Sequence, residues 1–177
     1  DTPDAIALVC ENEHGDVARF SYADLHTSGL RLAAALAALG VVRGDRVAIV
    51  MPQRLETAVA HMAASALGAV AMPLSMLFGA EALSYRLRDS EAALAIVDES
   101  AIDNLLAARS ECPALQHIVA VGAAAGRGSI DWQACLLGRH PAIAPMATQA
   151  DDPALLIYTS GTTGQAKGAL IPQRALL

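Results

Sequence analysis

Aromatic residues are scarce in this sequence. Two Phe, three Tyr and one Trp make up only 3% of 177 residues, although 54% are hydrophobic. The apolar content is therefore mostly Ala, Leu and Val, which suits helices packed on a sheet. Clustered positive charge is also missing: the net charge is -6 and no basic run occurs. A nucleic-acid backbone demands grouped Lys and Arg, so nucleic acid is excluded as an expected partner. Cysteine is sparse and odd in number. Cys10, Cys112 and Cys135 are scattered, none has Cys-x-x-Cys spacing, and the five histidines do not pair with them as zinc ligands. Reduced thiols fit a cytoplasmic location, and no charged-then-apolar signal peptide stands at Asp1.

Uncharged stretches are limited to one of note. Met62 to Ala80 runs 19 residues without a charge, near the length of a membrane span. Gly68, Pro73 and Gly79 interrupt it, and Ser65 and Ser75 fall inside. A helix end followed by a buried strand accounts for it, so no membrane span is expected. The length itself indicates one domain, able to bury roughly 70% of its unfolded surface.

In chain order, Ile6–Cys10 and Ala18–Phe20 flank turn chemistry at Asn12–Gly15 and read as a hairpin. Ser21-Tyr-Ala-Asp24 is a capping-box variant. The leucines at 25, 32, 36 and 39 then recur at helical spacing, with Gly29 and Ala33 on or near that face and Gly40 as the stop. Arg43-Gly-Asp-Arg46 reads as a turn between helix and strand rather than an adhesion motif. Strands are expected at Val47–Met51, Ala69–Leu74, Ala93–Val97, Ile118–Val121 and Ala154–Tyr158. Helices are expected at Leu55–Leu67, Gly79–Asp89, Ile102–Ala108 and Ile130–Leu137, with Gly122–Ser129 a flexible loop. The strands are continuous apolar runs alternating with helices. That is the mark of an α/β fold, a mostly parallel sheet with helices on both faces.

The last strand opens into Thr159-Ser-Gly-Thr-Thr-Gly164 and then Lys167. Ligands in such sheets bind beyond strand carboxyl ends, and this loop stands there. Gly161 and Gly164 allow positive φ and close backbone approach. Successive N–H groups can form a nest for an anion. The hydroxyls of Thr159, Ser160, Thr162 and Thr163 can donate to phosphate oxygens or touch a metal, and Lys167 adds a point charge. The alternative is a plain flexible turn. A Gly-x-x-x-x-Gly-Lys-Ser/Thr loop is absent, because Ala166 stands five residues after Gly161 and Gly168 follows Lys167. A Gly-x-Gly-x-x-Gly dinucleotide fingerprint is absent too.

Tyr158-Thr-Ser-Gly-Thr-Thr-Gly-Gln-Ala-Lys-Gly168 resembles the phosphate-binding signature of the adenylate-forming (AMP-binding) superfamily, which includes acyl-CoA synthetases, amino-acid adenylation domains and luciferases. Phe20-Ser-Tyr-Ala-Asp-Leu25, Gly44-Asp-Arg-Val47, Ala66–Leu74 and Asp152-Pro-Ala154 are similar to further segments of the family. Ala166 stands where the pattern commonly has Pro, and Pro172-Gln173 where many members have Ser/Thr-His. The resemblance implies that residues 1–177 are the first part of the AMP-binding N-terminal domain, lacking its later portion and the mobile C-terminal domain. It implies ATP, Mg²⁺ and coenzyme A, with a carboxylic acid activated as acyl-adenylate and passed to CoA. The cofactor-binding residues it implies are Thr159, Ser160, Gly161, Thr162, Thr163, Gly164 and Lys167, with Thr159 near the metal. No catalytic residue is expected within these 177 positions, and the isolated chain is expected to be inactive. Ser65-Ala-Leu-Gly68, Pro73–Gly79 and Tyr85-Arg-Leu-Arg-Asp-Ser90 look more like acetate-type and medium-chain acyl-CoA synthetases than amino-acid or aryl-acid adenylation enzymes. A non-catalytic nucleotide- or phosphate-binding module, or a degenerate remnant, is the competing reading. Arg86, Arg88 and Asp89 are expected to be solvated surface rather than a coenzyme A site.

Overall fold

The computed structural model describes residues 2–11, 14–159 and 165–176. An antiparallel hairpin, β1 (Ile6–Glu11) and β2 (Val17–Ser21), comes first. It leads into helix α1 (Tyr22–Ala38), whose capping box forms as the sequence predicts. The Asp24 amide donates to the Ser21 hydroxyl, and the Ser21 amide donates to the Asp24 carboxylate. Those bonds to Ser21 hold the Asp24 carboxyl below its ordinary pKa. Gly40 then takes a φ of +92°, a left-handed conformation that ends the helix without steric cost.

The main sheet follows: β3 (Arg46–Val50), α2 (Leu55–Ala66), β4 (Val70–Pro73), α3 (Ala80–Asp89), β5 (Leu94–Val97), α4 (Ile102–Ala108), β6 (His117–Ala120), β7 (Ile130–Asp131), α5 (Trp132–Leu137), β8 (Pro153–Thr159) and β9 (Lys167–Pro172). Its seven strands stand in the order β7-β6-β5-β3-β4-β8-β9. Every neighbouring pair is parallel except β8–β9. The α/β reading with a mostly parallel sheet is therefore correct.

The continuous apolar strands have a direct cause. In β3, Val47 and Ile49 join a core with Leu32 and Leu36 of α1, Ala60 and Ala63 of α2 and Trp132 of α5. Ala48 and Val50 point the other way, into a core with Leu83 and Leu87 of α3 and Ile102 and Leu105 of α4. Side chains alternate sides along a strand, so a strand covered on both faces needs an apolar residue at every position. Each fully buried Leu or Ile contributes roughly 1.5–3 kcal/mol. The helices α1 and α2 approach closely at Gly29, where a Cβ would lie 3.1 Å from that of Met62.

One local expectation shifts. The helix expected from Ile130 starts at Trp132, because Ile130 and Asp131 pair with Val119 and Ala120 at the sheet edge. Asp131 then caps the helix by accepting from the Gln133 amide. The uncharged stretch from Met62 is the end of α2 followed by buried β4, as expected. Among the described residues, no helix is long and apolar enough to cross a membrane.

Candidate phosphate-binding hairpin

Strand β8 lies beside β4, parallel to it, with Leu155 paired to Ala71. Its start is pinned from several sides. Asp152 pairs with Arg43 and accepts from the Gln149 amide, and its carbonyl accepts from the Gln173 amide where β9 returns. Arg174 pairs with Asp151. The base of the hairpin is thus closed by polar contacts, and β8 runs out from it toward Thr159. The sequence suggested a buried strand here. Only Ala154 is fully buried, and Leu155 to Tyr158 are half-buried, because β8 adjoins the antiparallel edge strand β9 rather than lying deep in the sheet.

Strand β9 is the larger departure. The apolar segment after the loop was not expected to be a strand. It returns antiparallel, with Tyr158 opposite Gly168 and Thr159 opposite Lys167. Directly opposed residues share a face of the sheet. Thr159 and Lys167, the first and last of the expected ligand set, are therefore neighbours at the hairpin tip, both exposed. Ser160, Gly161, Thr162, Thr163 and Gly164 lie outside the described residues. Gly168 has a steric role: a Cβ there would stand 2.9 Å from Leu156 Cδ1 and 3.4 Å from Tyr158 Cζ. Glycine lets the Tyr158 ring lie against the backbone of β9.

The other face of the tip meets α3. The Tyr158 hydroxyl donates to Asp89 Oδ2 at 2.6 Å. The Tyr85 hydroxyl donates to the carbonyl of Ala166 at 2.9 Å. The two rings meet edge to face, their centroids 6.5 Å apart. The Arg86 guanidinium lies 4.1 Å from the centre of the Phe78 ring and 5.7 Å from that of Tyr158, within reach of a cation–π attraction. Burial and then the neighbouring Asp89 charge push the Tyr158 phenol well above its usual pKa, so it acts as a donor. Arg86 and Asp89 are therefore not simply solvated: both contact Tyr158. Arg88 does face outward, 3.7 Å from Glu111. The spacing of Tyr85 and Asp89, one helical turn apart, was the available sign that they share a face.

Other candidates are weaker. Among the described residues no group of three or more His, Cys, Asp or Glu could hold a metal ion. Of the expected ligand set, the described donors are the Thr159 hydroxyl and the Lys167 ammonium, groups that suit phosphate oxygens. Burial raises the pKa of the Cys112 and Cys135 thiols, which keeps them from acting as thiolates. A cleft of 690 Å³ lined by Thr2, Tyr22, His26 and Met62 includes neither Thr159 nor Lys167.

A family model described as AMP-binding enzyme matches residues 1–177. The chain is similar to acetyl-coenzyme A synthetase of Pasteurella multocida, 32% identical over 186 residues, covering 95% of this chain and 28% of the relative. Acetyl-coenzyme A synthetase of Cupriavidus pinatubonensis is 34% identical, covering 93% and 28%. Among solved structures, acetoacetyl-CoA synthetase from Streptomyces lividans superposes with a TM-score of 0.88 at 29% identity, over 97% of this chain and 28% of that one. ATP-bound MatB from Rhodopseudomonas palustris gives 0.79 at 31% identity, over 98% and 33%. The chain thus spans less than a third of the length of these relatives.

Proposed function

The chain belongs to the AMP-binding enzyme family, and from that premise we propose that it forms the phosphate-gripping part of an ATP-dependent acid–thiol ligase, an AMP-forming acyl-CoA synthetase. The observation that carries this is the register of the β8–β9 hairpin. It sets Thr159 opposite Lys167 at the carboxyl end of β8. In this reading residues 1–177 are the first part of the AMP-binding N-terminal domain of a cytoplasmic enzyme.

The reaction has two halves. A carboxylate oxygen attacks the α-phosphorus of ATP, giving acyl-adenylate and pyrophosphate. The thiol of coenzyme A then attacks the acyl carbon, and AMP leaves. Negative charge accumulates on the departing pyrophosphate. Lys167 and the hydroxyl of Thr159 supply charge and a donor there, joined by Ser160, Thr162 and Thr163 and by the backbone amides at Gly161 and Gly164. Donors fixed in advance where charge develops stabilise a transition state more than the ground state. Mg²⁺, when bound, would neutralise the phosphate charge, with Thr159 as its nearest hydroxyl. The acid is a small aliphatic carboxylate, as the acetyl-coenzyme A synthetase relatives suggest.

ATP–pyrophosphate exchange tests this. The whole protein should exchange label in the presence of acetate or a near homologue. The 177 residues alone should bind MgATP without exchange. Turnover by these residues alone would overturn their reading as one part of the enzyme, and exchange driven only by amino acids would overturn the acyl-CoA synthetase assignment.

A further inference from the structure

We propose that Tyr85 and Asp89 of α3 are positioning residues for the phosphate grip: they fix the two hairpin legs from which Thr159 and Lys167 project. This rests on the function proposed above. The two side chains lie one turn apart on α3 and each holds a different leg. Asp89 takes the hydroxyl of Tyr158, the residue before Thr159. Tyr85 donates to the carbonyl of Ala166, the residue before Lys167. A single rigid helix therefore sets the placement of both.

Three features mark this as a positioning device. First, α3 is already held to the sheet by Leu83 and Leu87, exposed by 0% and 1%. Asp89 is exposed and adds nothing to that core. Second, the tip of β9 has little other support: Lys167 to Leu170 are all exposed, and β9 is the edge strand, paired on one side only. Third, the opposed pair Thr159 and Lys167 lies on the sheet face away from Tyr158, since successive side chains alternate. The contact with α3 therefore braces the hairpin from behind and leaves the ligand face open. Gly168 is part of the brace, because its missing Cβ admits the Tyr158 ring. Ala166 lacks the stiffness of a proline, and the Tyr85 bond to its carbonyl supplies a fixed point at that position.

The test uses Tyr85→Phe and Asp89→Ala in the whole protein, with Arg88→Ala as the control on the same helix. Tyr85→Phe keeps the ring contact and removes only the donor. Amide exchange without ligand should quicken by about ten-fold at 157–159 and 167–169 in both variants, as expected for loss of one hydrogen bond. Exchange in β3 and β5 should not change. KM for ATP should rise by about ten-fold, while KM for the acid stays as it was. Asp89→Asn, which keeps an acceptor, should restore part of the loss. Unchanged exchange at the hairpin, or unchanged KM for ATP in both variants, would overturn the role of α3 while leaving the phosphate site standing. Failure of the unaltered protein to bind MgATP would overturn both.

Discussion

The guanidinium of Arg54 lies 3.2 Å from the carboxylate of Asp98 and closes the space between two strand ends. Arg54 follows β3 and Asp98 follows β5, and these strands are parallel neighbours. The chain leaves β3 for α2 on one face of the sheet and leaves β5 for α4 on the other. A crevice opens where connections diverge in this way, and ligands often occupy it. Here the protein's own charges fill it. Glu56 holds the other edge of Arg54 at 2.8 Å, and Asp98 also accepts from the Ser100 amide. Burial opposes the Arg54 charge, but the bonds and charges of Glu56 and Asp98 outweigh it and raise its pKa.

Arg54→Met should therefore destabilise the fold. It leaves Asp98, whose side chain is only 3% exposed, with the Ser100 contacts but no countercharge. The expected loss is roughly 1–3 kcal/mol in urea unfolding. The double variant with Asp98→Asn should recover part of it, since no unpaired buried charge remains.

Gly29→Val should be costly where α1 meets α2. The added Cβ alone would stand 3.1 Å from Met62 Cβ, and two further methyls would force the helices apart. Overpacking of this kind costs about 1–3 kcal/mol, read as a lower midpoint in urea with no change in slope.

Stability should fall as pH drops, in part through His61. Burial lowers its pKa in the folded protein, so the unfolded chain takes up the proton first. The stabilising contribution of neutral His61 is complete above the unfolded pKa of about 6.5. It is lost as pH falls through that value toward the lower folded one. His61→Gln should flatten the dependence of the unfolding midpoint on pH below about 6.5.

Lys167→Met should weaken MgATP binding by roughly ten-fold, the loss of one charge-assisted contact, if Lys167 meets phosphate. Stability should stay within about 0.5 kcal/mol, as for most surface substitutions, because the side chain is exposed and makes no ion pair among the described residues. Equal affinity in titration calorimetry would remove Lys167 from the site.

The alternation of apolar strands and helices, the sheet covered on both faces and the Ser21 capping box were all determined by the sequence itself. Each is a local matter: helical or strand period, side-chain size, and the conformations that glycine permits. The tertiary structure decided what depends on pairing between distant segments. Ile130 and Asp131 read as helix until β6 offered them partners. The apolar segment after Lys167 has no period that tells strand from coil, and only pairing with β8 made it a strand and set Lys167 opposite Thr159. Arg86 and Asp89 look like surface charges on α3, and the ring they embrace arrives 69 residues after Asp89. Hydrogen-bond register and side-chain docking join residues far apart in the chain, so no local pattern can specify them.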